Sequence, residues 1–102
     1  MPTISVTLNT VPIASADSSK VVSVEGNHYF PPDSINTDIL KLESDTQTVC
    51  GWKGTAAYYN AHMPTGVLVK DVAWVYPTPK EKAANIKQHV AFYKNLVEFK
   101  EE

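Results

Sequence analysis

The chain's 102 residues are 43% apolar and 20% charged, a mix that fits one globular domain with a single core and excludes global disorder. Nine basic residues, all lysine, against eleven acidic ones leave a net charge of −2; this argues against nucleic acid as a partner and leaves phosphate recognition to lysines, backbone N–H groups or a metal. No apolar run nears the roughly 20 residues that span a bilayer, the first residues lack the basic and apolar stretches of a secretory leader, and Cys50 alone cannot form an internal disulfide, so a cytoplasmic setting without membrane association is expected.

Residues 3–8 (Thr-Ile-Ser-Val-Thr-Leu) alternate polar and apolar and predict a half-buried strand. Residues 14–19 are small and polar and read as a loop. The β-branched run from Lys20 to Val24 predicts a second strand, closed by Glu25-Gly26-Asn27. Pro31 and Pro32 remove backbone donors and stop regular sheet there, while Asp33 or Ser34 can cap a short helical turn reaching Ile39-Leu40.

Strands are predicted next over residues 46–50 and 54–63. In the second, Ala57, Tyr59 and Ala61 share one face, and Ala56, Tyr58 and Asn60 the other. Pro64-Thr65-Gly66 is turn chemistry. Residues 67–76 give one long or two short strands with Val72, Trp74 and Tyr76 on one face. Ile86, Val90, Tyr93 and Val97 fit a helical spacing, yet residues 89–93 are rich in strand formers. A short helix over 79–88, with Pro79 near its first turn, followed by strand over about 89–99 reconciles the two. The chain reads as mainly β with one short helix, a single domain over residues 1–102.

Three stretches carry a family resemblance. They are residues 24–32 (Val-Glu-Gly-Asn-His-Tyr-Phe-Pro-Pro), then Glu43-Ser44 leading into residues 48–59, and last residues 73–79 (Ala-Trp-Val-Tyr-Pro-Thr-Pro) with Ile86 and residues 90–93. In order and spacing they resemble the domain-of-unknown-function 427 family over about residues 20–100, leaving 1–19 as an N-terminal extension with a possible strand. The family's usual Cys-Pro-Trp-Lys-Gly stands here as Cys50-Gly51-Trp52-Lys53-Gly54, and glycine for proline loosens that loop. The resemblance implies an Mss4-like, or β-tent, architecture of packed antiparallel sheets around a cleft. Some members are labelled nucleotidyltransferases, but that chemistry generally needs paired carboxylates for magnesium and a phosphate cradle, and neither pattern is present. Fold relatives hold zinc in paired Cys-x-x-Cys knuckles, which a single cysteine excludes. No metal and no cofactor is expected.

Candidate chemistry centres on Cys50, Trp52 and Lys53. A thiol three residues from a lysine can act as a nucleophile, whereas a buried, inert cysteine is the commoner outcome. Lys53, between Trp52 and Gly54, is expected near an aromatic surface and a ligand. Trp52, Tyr58, Tyr59, Trp74 and Tyr76 hold half of the chain's aromatic residues; each is most often core, but together Tyr58, Trp74 and Tyr76 suit a stacking wall with hydroxyl handles. Glu43, just before the Cys50 strand, is a candidate partner for Lys53 or a proton acceptor, with Glu25 as second candidate. Asp33, Asp38 and Asp45 read as solvated surface.

Glu25-x-x-His28 suggests a metal or acid–base pair, His89 precedes a strand and is a candidate ligand contact, and His62 reads as a loop-edge residue without a role. The preferred reading is a cleft of aromatics, Lys53 and a carboxylate that binds a small polar or anionic molecule. The alternatives are an enzyme in the same cleft, with Cys50 as nucleophile or Glu43 and Lys53 as an acid–base pair, and a protein-interaction module suggested by fold relatives alone.

Overall fold

The alternating residues near the N-terminus form strand β1 (Thr3–Leu8) in the computed structural model, which describes residues 2–102. Asn9 and Thr10 both take positive φ (49° and 67°), and this two-residue turn folds β2 (Val11–Asp17) back on β1. The far edge of β1 pairs with the last strand, β10 (Glu98–Glu101), to complete a three-stranded antiparallel sheet in the order β10-β1-β2. Residues 14–19, expected as loop, instead supply the end of β2 and a short 3₁₀ turn, Ser18–Lys20. Alanine and serine there pair with β1 although their small side chains give no strand signal.

The second sheet contains seven strands. β3 (Val22–Val24), β4 (Asn27–Phe30), β9 (Val90–Phe92), β8 (Leu68–Val75), β7 (Gly54–His62) and β5 (Leu40–Lys41) follow in that spatial order, and β6 (Gln47–Cys50) also pairs with β7. Every pairing between these strands is antiparallel. Neither sheet closes into a barrel, and no helix among the described residues is long and apolar enough to cross a membrane.

Strand alternation sorts neighbours onto the two faces of the large sheet. Phe30, Val90, Phe92, Ala73 and Val75 meet Ile4, Val6, Leu8 and Ile13 of the small sheet in one core. Tyr29, Ala91, Ala56, Tyr58 and Tyr76 form a second core on the other face, covered by Ala83 and Ile86. The expected split of β7 holds for its aromatic half, with Tyr59 against the first core and Tyr58 within the second.

Four local expectations are corrected. Val72 packs in the first core, while Trp74 and Tyr76 belong to the second. Asp71 is left-handed (φ 55°) and the β7–β8 register shifts between Tyr59 and Ala61, which breaks the alternation. The predicted helix is a 3₁₀ segment, Glu81–Ile86, kinked at Ala83 and too short to develop α-helical turns. The predicted strand over 89–99 splits: β9 ends at Phe92, a turn closed by the Leu96 N–H donating to Tyr93 O follows, and β10 crosses to the small sheet. Finally, Pro32–Ser34 is a single 3₁₀ turn in which Ser34 Oγ donates to Pro31 O at 2.7 Å, so neither Asp33 nor Ser34 caps a helix.

Candidate functional site

The β6–β7 turn carries Gly51, Trp52 and Lys53 between the paired residues Cys50 and Gly54. Gly54 has φ 115°, a conformation glycine holds at low cost. Lys80 clamps this turn from outside: its N–H donates to Lys53 O at 2.8 Å and its Nζ to Gly51 O at 2.7 Å. Gly51 itself has an ordinary φ and open space where a Cβ would stand, so its departure from the expected proline meets no steric demand for glycine.

Held this way, Lys53 points inward and is only 8% exposed. Its ammonium lies 5.2 Å from the Trp52 ring centre and 5.8 Å from that of Tyr76, within cation–π range. Its ion-pair partner is Glu25, at the tip of the β3–β4 hairpin. Burial pulls the lysine pKa down, but the Glu25 carboxylate and the Tyr29 and Tyr76 phenols outweigh it and hold the ammonium above its ordinary value. The site is therefore a protonated cation sandwiched between ring faces, not a neutral amine.

Cys50 is half-buried beside this pair. The backbone N–H groups of Trp52 and Lys53 hold its thiol below the usual range; the Lys53 charge adds to this and partial burial opposes it. Behind it lies an aromatic wall. Thr48 Oγ1 and Tyr58 Oη are 2.9 Å apart, Tyr93 Oη donates to Tyr58 Oη at 3.3 Å, and Trp74 Nε1 donates to Tyr29 Oη at 3.3 Å. Tyr93 packs against Tyr58 and Trp74 with centroids 6.4 and 4.7 Å away. Burial and the Tyr58 hydroxyl push the Tyr93 pKa up to about 12. Burial likewise raises Tyr76.

The expected pairing of Glu43 with Lys53 is not made. Glu43 lies at the other end of β7, where its carboxylate accepts from Asn60 Nδ2 at 3.2 Å and meets His62 Nε2 at 2.6 Å. Those bonds hold the Glu43 carboxyl below its usual range, His62 first and Asn60 second. His62, expected to have no role, is thus the partner of Glu43. Asn60 also accepts from the Asp71 N–H, and Asp71 in turn receives Ser44 Oγ (2.5 Å) and Thr46 Oγ1 (2.7 Å). The Glu43-Ser44 pair straps the 43–46 segment onto the β7–β8 bulge.

His89 turns to Lys87 O (2.9 Å) and His28 to Ser23 Oγ (3.2 Å), so neither is bonded to the Lys53 group. Among the described residues, no group of three or more His, Cys, Asp or Glu is placed to hold a metal. Cavities of about 210 and 220 Å³ lie elsewhere, one by Asp17 and Lys20 and one by Val11, Met63 and Val67. Sequence reasoning missed Tyr29, Tyr93, Asp71 and Lys80. Only the left-handed Asp71 had a local signal, an Asp between Lys70 and Val72 that interrupts a β-branched run.

A family model described as a domain of unknown function (DUF427) matches residues 2–102, including the N-terminal hairpin that the resemblance had left out. No curated protein matches the chain.

Proposed function

The chain belongs to the DUF427 family, and from that premise we propose that it binds a small molecule with an anionic group and a flat apolar part, the anion at Lys53 and the ring against Trp52. The observation that supports this most is the sequestered Lys53 ammonium, flanked by two ring faces and paired with a carboxylate from an exposed hairpin tip. A cation held in a partly apolar setting attracts an anion more strongly than one in open water. Trp52, 39% exposed, offers a face from solvent. A cytoplasmic, reducing setting accords with the single half-buried cysteine.

A second reading, covalent chemistry at the same site, rests on the lowered Cys50 thiol. The alternative Glu43–Lys53 acid–base pair loses its support because Glu43 is bonded to His62 and Asn60.

The test is an NMR titration of ¹⁵N-labelled protein with benzoate and phenyl phosphate at millimolar concentration. Amide shifts concentrated at Glu25, Cys50 to Gly54 and Tyr76, and abolished in Lys53→Met, are expected. Shifts scattered elsewhere, or unchanged in Lys53→Met, contradict the proposal.

A further inference from the structure

Glu25 sits at a costly position. It is the first residue of a two-residue turn between Val24 and Asn27 and has φ 52°, with Gly26 at 80°. Asn, Asp or Gly fill such a place at lower cost than a longer side chain. What glutamate adds is reach: its carboxylate lies against Lys53 Nζ, its one ion pair among the described residues. The two partners are unequally buried, with 9% side-chain exposure for Lys53 and 55% for Glu25.

That inequality makes the carboxylate the exchangeable half. If Glu25 swings out, it regains water, and Lys94 Nζ stands nearby, 3.6 Å from where a Cβ on Gly26 would be. Lys53 has no such freedom, and a buried ammonium left alone carries a large desolvation penalty. Replacement by another carboxylate leaves Lys53 paired throughout. The chemistry also fits: Lys80 is engaged with Gly51 O and Lys94 stands at the hairpin tip, so Lys53 is the buried cation here, and a ligand carboxylate replaces its present partner like for like. The chain contains no arginine to grip a phosphate dianion with a planar fork.

Resting on the binding reading above, we propose that the ligand's anionic group is a carboxylate and that Glu25 is its tethered competitor, occupying at Lys53 the place the ligand's carboxylate takes. The β3–β4 hairpin tip is then a latch that the ligand must displace, and the apparent affinity is reduced by the fraction of molecules in which it is closed.

The experiment compares benzoate binding by the wild type, Glu25→Gln, Glu25→Ala and Lys53→Met, each first confirmed as folded by its amide spectrum. Because the Glu25 carboxylate is exposed and regains water when it swings out, it competes weakly, so Glu25→Ala is expected to bind benzoate about two- to fivefold more tightly than the wild type. Glu25→Gln, which keeps the shape without the charge, should move in the same direction, and Lys53→Met should not bind. Wild-type binding that is unchanged or weakened in both Glu25 variants overturns the latch while leaving the binding site standing. Absence of binding in all four proteins overturns the site and the latch together.

Discussion

Lys53 and Glu25 form an ion pair of unequal burial, with side-chain exposures of 9% and 55%. The pair joins the β6–β7 turn to the tip of the β3–β4 hairpin, across the second core of the large sheet. The glutamate stays in contact with water while the lysine does not, so the pair's main effect is to keep the Lys53 ammonium partnered.

Cys50 gives the first prediction. Backbone N–H groups of Trp52 and Lys53 favour its thiolate, so the folded pKa lies below that of the unfolded chain. Iodoacetamide should label native protein with a pH midpoint below that of the urea-unfolded protein. Lys53→Met should raise that midpoint only slightly, since the backbone groups dominate. A native midpoint at or above the unfolded one contradicts the geometry.

Tyr93 predicts the opposite behaviour at alkaline pH. Its folded pKa, about 12, exceeds the ordinary phenol value of 10.0. For a group raised in the folded state, the stabilisation is full below the unfolded pKa and is lost as pH rises through the folded one. Stability against urea should therefore decline between about pH 10 and 12. Tyr93→Phe should flatten that decline, and tyrosinate absorbance should lose its most alkaline component. An unchanged alkaline profile in Tyr93→Phe would show that this phenol titrates normally.

Asp71 holds the strap over β7 and β8. Its carboxylate accepts from Ser44 and Thr46, and its backbone is left-handed. Asp71→Ala removes both charge-assisted bonds and a residue tolerant of positive φ, which should cost about 2–3 kcal/mol in urea unfolding. Asp71→Asn, which tolerates that backbone and keeps one acceptor, should lose about half as much. Equal losses in the two variants would argue that neither backbone nor charge matters there.

The N-terminal hairpin predicts a core effect. Ile13 is fully buried against the large sheet. Ile13→Ala should cost about 2–5 kcal/mol by equilibrium unfolding, in a single transition. A variant that loses little stability, or that unfolds in two steps, would show the hairpin to be peripheral.

How much of this could be read in advance follows from the range of each interaction. β6, β7 and most of β8 were legible because their alternation is local. The split of the last segment was not, since β10 exists only by pairing with β1 at the other end of the chain. The same long range hid the role of residues 14–17 in β2. Lys53 near an aromatic surface was foreseeable from Trp52 beside it. Its carboxylate partner was not: Glu43 stood closer in sequence, but it sits at the far end of β7 with His62, while a left-handed turn delivers Glu25. Tyr29 and Tyr93 join the site through sheet order, which no spacing encodes.

Carboxylate binding at Lys53 is tested most directly by a crystal structure of the protein soaked with benzoate. The carboxylate is expected within hydrogen-bond distance of Lys53 Nζ, with the ring against Trp52 and the Glu25 side chain turned away. Benzoate lodged by Val11, Met63 and Val67, or absent while the Lys53–Glu25 pair stays closed at saturating concentration, would contradict it.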